Sequence, residues 1–384
     1  MKRLIVVAVS VAFMAVTTTI AYAAVVGPDG AIHGCYTNQT FNGLHGLGVT
    51  DTACPSGTTS LSWNQQGVPG PQGVAGPQGV AGLPGAGLNP TLVGELRWDL
   101  LNRTSVAVGA QPYFDAFDGS NLWVANQGSN SVTKVRTSDG AVLGSFGVGS
   151  SPTGIAFDGS SIWVANTGAA TVTKLRASDG TVQGTFPVAG AEGIAFDGSN
   201  IWVSGGGHVA KLRASDGVNL GNFNVTGAHW GIAFDGASMW VANYTNPGTI
   251  TKLRPSDGAQ LATSPVDIYP LAIASDGPNL WVTSEWNHTV TKVRISDGAN
   301  LGAFLVSDPA AGATGGAEEG LAFDGTNIWV ANSNTDSVTK LRASDGTVLA
   351  TFSVGHPVGI AFDGINVWVT SYYTATVIAL RAGQ

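Results

Sequence analysis

The side chains best able to do chemistry in this chain are few and unevenly placed. Cys35 and Cys54 are its two cysteines, and they stand near the start with His33 and His45 beside them. In an oxidising compartment the default reading is a disulfide that closes a short loop in a module too small to hold itself together. A metal site would need more ligands than those two histidines supply at any familiar spacing. Farther along, Glu192, His229, Trp230, Tyr244, Glu285, Trp286, His288, Glu318, Glu319, His356, Tyr372 and Tyr373 interrupt an otherwise repetitive text. The chain offers no Ser/His/Asp order, no phosphate-cradling glycine loop and no Cys-x-x-Cys pair. What these residues do therefore depends on the elements that bring them together.

Those elements are copies of one phrase. TGIAFDGSSIWVAN at 153–166 returns as GIAFDGSNIWVS at 193–204, GIAFDGASMWVAN at 231–243 and GLAFDGTNIWVAN at 320–332. Its marker tryptophans, Trp123, Trp163, Trp202, Trp240, Trp281, Trp329 and Trp368, recur 38 to 48 residues apart. Each copy holds four runs rich in β-branched and aromatic residues, bounded by Asp-Gly or glycine-rich turns. Four strands per unit, seven times over, predict an all-β, seven-bladed β-propeller over 102–384. The seventh copy stops at VIALRAGQ and lacks the fourth strand, while TSVAVGAQP at 104–112 supplies the missing text before the first copy. An N-terminal strand that completes the last blade removes a bare sheet edge. The seven tryptophans are expected to stack between blades, where large rings fill the gap.

A four-strand meander places both Asp-Gly turns of a blade on one face. Thirteen aspartates lie in those turns, and thirteen of the seventeen basic residues lie in the TKLR phrase nearby. This face reads as structural: alternating charges and turn chemistry, with each exposed pair worth less than about 1 kcal/mol. One Asp per glycine-flanked turn is too sparse for a ring of metal sites. The opposite face is where the copies disagree. Loops that enter the first strand and leave the second collect Trp230, Tyr244, Glu285, Trp286, His288, Glu318, Glu319, Tyr372 and Tyr373. Aromatic and ionisable loop residues on a rigid scaffold make this the expected ligand-binding surface.

The segments before the repeat have a different character. MKRLIVVAVSVAFMAVTTTIAYA has a basic start, an apolar run from Leu4 to Val16 too short for a span, and small residues at Ala21 and Ala23. It reads as a signal peptide over 1–23, so a secreted or envelope-associated mature chain without a membrane span is expected. A small Cys-containing head over 24–66 follows, then 67–87 with glycine at every third position, then a linker over 88–101. Strict Gly-X-Y periodicity is the collagen pattern, because only glycine fits the axis of three polyproline-II chains. The run predicts either a homotrimer or a semi-rigid spacer. A net charge of −8 argues against a nucleic-acid partner.

The head and G-P-Q run resemble the front end of bacterial collagen-like surface and secreted proteins. The repeat resembles YVTN- and NHL-type propellers, and its DG-x-x-[IL]-W-V phrase is similar to the streptogramin (virginiamycin B) lyase group. The lyase resemblance implies a metal-assisted ring opening by loop His and Glu residues, for which His229 and Glu285 or Glu319 are the nearest matches. The expected histidine of blade five is Leu271, and Glu285 falls one residue past the aligned strand end at Ser284. The expected function is binding of an extracellular protein, glycan or envelope ligand, without cofactor or catalytic residue. A lyase-like enzyme and a passive display protein are the alternatives.

Overall fold

The computed structural model describes residues 104–307 and 318–383, together with the strand backbones of Ile5–Ala8, Ala21–Ala24, Ala31–Phe41, Leu44–Val49 and Thr59–Asn64. Side chains before Thr104, and those of Ala228, His229 and Glu318, lie outside this description. Two compact units are separated after Gly87. In the first, Ala31–Phe41 pairs antiparallel with Leu44–Val49 on one side and Thr59–Asn64 on the other, and Ile5–Ala8 pairs with Ala21–Ala24. The Cys35–Cys54 pairing, the Gly-X-Y run at 67–87 and the linker at 88–101 lie outside the described residues.

The second unit is a seven-bladed β-propeller of four-stranded antiparallel sheets. Blade two shows the pattern with Pro152–Phe157, Ser161–Asn166, Thr171–Arg176 and Val182–Pro187. Its second strand is buried along its whole length, whereas the fourth alternates between exposed and half-buried. A strand sandwiched between two blades reads as a continuous apolar run, and an outer strand keeps the two-residue period. Blade seven contributes Pro357–Phe362, Asn366–Ser371 and Thr376–Arg381, and Thr104–Ala107 completes it by pairing with the last of these. The expected closure is therefore present. Among the described residues, no helix is long and apolar enough to cross a membrane.

Each marker tryptophan is buried against the next blade: Trp163, fully enclosed, packs with Ile201, Val203 and Leu212. Truncating such a ring to alanine costs about 3–5 kcal/mol. Its indole Nε1–H is satisfied by the Asp-Gly turn of its own blade. The seven bonds, Trp123 to Asp118 through Trp368 to Asp363, measure 2.7–2.8 Å. Asp118 also accepts the backbone N–H groups of Ser120 and Asn121, while Gly119 takes φ +96°, which only glycine adopts freely. The aspartate thus holds both the turn and the core ring.

The structure corrects one expectation about the repeated face. Its arginines do form exposed pairs, Arg136 with Asp139 and five equivalents at 2.8–2.9 Å. Its lysines, however, leave the surface. Lys134, Lys174, Lys211, Lys292 and Lys340 are buried and Lys252 is half-buried. Each of these six places its ammonium 4.9–5.1 Å from the centre of its blade's tryptophan ring. Each also donates to a backbone carbonyl of the following blade, at 2.5–3.3 Å. A buried ammonium needs such partners, and the ring face and carbonyl provide them. Blade seven has Ala379 at this position and makes no such link.

Candidate functional site

The first strands of all seven blades form the innermost ring. Their shared Gly-Ile-Ala-Phe text is a packing requirement, since a Cβ on Gly154, Gly193, Gly231, Gly320 or Gly359 would collide with the backbone of the next blade. In six blades the pairing of first and second strands slips by a bulge just before this glycine, between Pro152 and Ile155 in blade two for example. A bulge re-aims the residue it carries. Here the residue ahead of the glycine belongs to the variable-face end of the channel, the set being Tyr113, Thr153, Glu192, Trp230, Leu271, Glu319 and Val358.

Two of these meet across the ring. Tyr113 of blade one stacks on Trp230 of blade four, with ring centres 5.5 Å apart and an interplanar angle of 29°. Tyr372 of blade seven stands edge-on to Tyr113 at 6.4 Å and donates its hydroxyl to Gln127 at 3.1 Å. The Tyr113 hydroxyl donates to Glu319 of blade six over a long 3.4 Å. A second aromatic group lies on blades four and five: Tyr244 lies 5.0 Å from Tyr269, which lies 6.0 Å from Trp286, and the Tyr244 hydroxyl donates to Glu285. A third joins His356 to Tyr372 and Tyr373, at 5.5 and 4.4 Å. Tyr269 and His356 hold φ of +46° and +40°, a costly left-handed backbone for bulky residues.

The electrostatics are one-sided. Burial, then the nearby Glu285 carboxylate, raises Glu319 to about 7, opposed by the Tyr113 hydrogen bond. Burial followed by the charge of Glu319 pushes the Tyr113 hydroxyl well above its ordinary value. Tyr244 rises to about 12 for the same kind of reason, burial first and then its bond to Glu285. Burial also lowers His356, against the pull of Asp336.

Beneath the Tyr113–Trp230 stack the channel holds a cavity of about 150 Å³, lined by Phe114, Asp115, Ile194, Trp230 and Leu271 among others. Asp115 occupies the position that five other blades fill with isoleucine and blade six with Leu321. Both of its carboxyl oxygens are buried without a hydrogen-bond partner, and burial raises its pKa well above the carboxylate range.

Of the residues expected at the binding surface, the structure brings Trp230 and Glu319 together at the channel mouth. Tyr244, Glu285 and Trp286 form the neighbouring group, and Tyr372 and Tyr373 the third. Trp286 and Tyr373 are 51% and 75% exposed. His288 does not join them: it is buried in a left-handed turn, with Nδ1 2.6 Å from the Ser307 hydroxyl. The side chains of Glu318 and His229 lie outside the description. Among the described residues no three His, Cys, Asp or Glu side chains gather closely enough to hold a metal. Sequence reasoning passed over Tyr113, Tyr269 and Asp115 as site residues. For Tyr113 and Asp115 the signal was available, because blade one reads YFDAF where the other copies read close variants of GIAF.

The fold and this channel define the class: a seven-bladed β-propeller, an architecture consistent with a binding scaffold. No protein-family model and no curated protein matches the chain. Solved structures do. Hydrazine synthase of Kuenenia stuttgartiensis superposes with a TM-score of 0.63 at 15% identity, over 72% of this chain and 97% of that one. U3-55K gives 0.64 at 11%, over 74% and 99%. The Cps50 (Swd1) propeller domain of Myceliophteria thermophila gives 0.62 at 11%, over 73% and 99%. At these identities the likeness is one of fold alone.

Proposed function

We propose that this chain is an exported binding protein whose variable propeller face captures an extracellular protein, glycan or envelope component. One observation carries the reading. Aromatic and acidic residues from blades one, four, five, six and seven converge at the variable end of the channel, while the polar groups of the opposite face are taken up by turns and ion pairs. Partly exposed aromatic anchors concentrate binding energy, often about 2 kcal/mol or more per residue. The test is capture of partners from culture medium or envelope fractions by the full chain. Trp286→Ala should weaken capture without changing the melting temperature, while Trp163→Ala should lower the melting temperature. Undiminished capture by Trp286→Ala, with Trp230→Ala equally unaffected, places the site elsewhere.

A second reading, a lyase-like activity, is favoured by Glu319, whose pKa of about 7 suits proton transfer. It demands a divalent metal that raises the melting temperature by linkage and loses that effect in His229→Ala. The Gly-X-Y run adds an assembly role: full chains should sediment as trimers, and shortening 67–87 should return them to monomers.

A further inference from the structure

Among the described residues the funnel has carboxylates and rings but no lysine or arginine. Every lysine and arginine among the described residues lies on a third strand or directly after one: six lysines make blade-to-blade links, six arginines pair with exposed aspartates, and Arg381 ends blade seven. None reaches Glu319, Glu285 or Asp115. At the mouth, Glu319 and Glu285 are each met by a tyrosine hydroxyl, Tyr113 and Tyr244, and not by a cation. Below them Asp115 lines the channel with both oxygens buried and unpartnered. A buried carboxyl left this way holds its proton at a cost in free energy, and an arriving positive group favours its charged form. The rings point to the same chemistry, because electron-rich faces of Trp and Tyr attract ammonium groups, and more strongly once these are desolvated.

We infer that the variable-face funnel is a site for an alkylammonium group, held against the Tyr113–Trp230 stack and Tyr372 with Glu319 and Glu285 as its counter-ions. This rests on the reading of the variable face as the binding face and names what that face recognises. Choline would stand for a free quaternary ammonium ligand, and Nα-acetyl-lysine methylamide for a lysine presented by a protein. Because Glu319 carries part of a proton near neutrality, a cation seated beside it drives that proton off. Tyr113, Glu285 and Tyr372 face Glu319 as well, and the two tyrosines, both raised by burial first, keep their protons through this range.

The experiment is calorimetric titration of the full chain at neutral pH with choline, with acetyl-lysine methylamide, and with 3,3-dimethyl-1-butanol, the neutral shape-mimic of choline. The expected result is saturable binding of one cation with Kd on the order of 1 mM or tighter. Proton release should accompany it, revealed by a dependence on buffer ionisation heat, and the alcohol should give no saturable heat. Glu319→Gln should abolish the proton release and weaken binding at least about tenfold, and Trp230→Leu should weaken it comparably. Glu285→Gln, on the more open side, guards against a folding defect in either variant. Saturable binding of neither cation overturns the inference, as does equal binding of the alcohol or full binding by all three variants. Loss of partner capture in Trp286→Ala alongside any of these would sink the ammonium chemistry and leave the binding face standing. Unaffected capture would remove both.

Discussion

Replacing Asp115 tests the channel directly. Its carboxyl sits where five blades place isoleucine, over Gly359 of blade seven, much as Ile194 lies over Gly154. Burial raises its folded pKa above that of the unfolded chain, so the native state keeps a proton that the unfolded state has released. Stability is then greatest below the unfolded value, near about pH 4, and falls as pH rises through the window up to the folded value. The slope is about 1.4 kcal/mol per pH unit for as long as the buried carboxyl stays protonated. Asp115→Asn keeps the shape and removes the titration, so the melting-temperature difference between variant and parent should widen with pH in favour of the variant. At about 2–4 °C per kcal/mol, one unit of pH is readily measured. Asp115→Ile should go further and stabilise the propeller at neutral pH by about 2–4 kcal/mol, from the orphaned oxygens removed and the apolar surface buried. Thermal melts of the full-length variants at three pH values between 4.5 and 7 provide the assay. A parent-minus-Asn difference that stays flat with pH would falsify the picture of a buried, proton-holding carboxyl.

The remaining expectations concern the scaffold. Lys134→Met keeps the apolar stem but strands the Ala177 carbonyl, and should cost about 1–3 kcal/mol by denaturant midpoint; a neutral outcome would show the link to be dispensable. Asp118→Ala removes the partner of the Trp123 indole and two turn N–H groups, and should cost about 2–4 kcal/mol. Despite opposition from burial, bonds from Trp123 and Asn121 hold the folded Asp118 carboxyl below its ordinary value. Its contribution is therefore present above the unfolded value and lost as pH falls through the folded one, so the cost of Asp118→Ala should shrink in acid. Deleting residues 102–110 should lower stability by about 4 kcal/mol or more, since the seventh blade loses its pairing with Thr104–Ala107 and the buried Val106; an unchanged melt would refute closure by that strand.

The blade count, the strand text and the closing strand were all legible before the structure, because each follows from a short-range signal repeated many times. A DG turn, an alternating run and a buried tryptophan mean the same thing at every copy. The lysines misled for a physical reason: an ammonium five residues before a turn aspartate, beside an arginine that does pair with it, reads as a surface charge, and only its own blade's ring and the next blade's carbonyl stabilise it when buried. The channel mouth was half legible. That Trp230 and Glu319 lie on the variable face follows from loop position, but Tyr113 and Trp230 meet across the ring through closure alone. His288 shows the opposite failure, since a polar residue in a variable loop was claimed by a left-handed turn.

The missing lysine of blade seven gives the ring a direction and a weak point. Six times a lysine fastens a blade forward to its successor, and at the seventh junction, where Ala379 stands, that link is missing and blade seven is completed by a four-residue strand from the start of the repeat. The propeller is in this sense a belt with a single buckle. Whatever pries it open, heat or mechanical load transmitted through the segment ahead of Thr104, meets its least protected joint there. A strand released from one molecule fits the vacated edge of another without any change of sequence, so strand exchange between copies would begin at this joint.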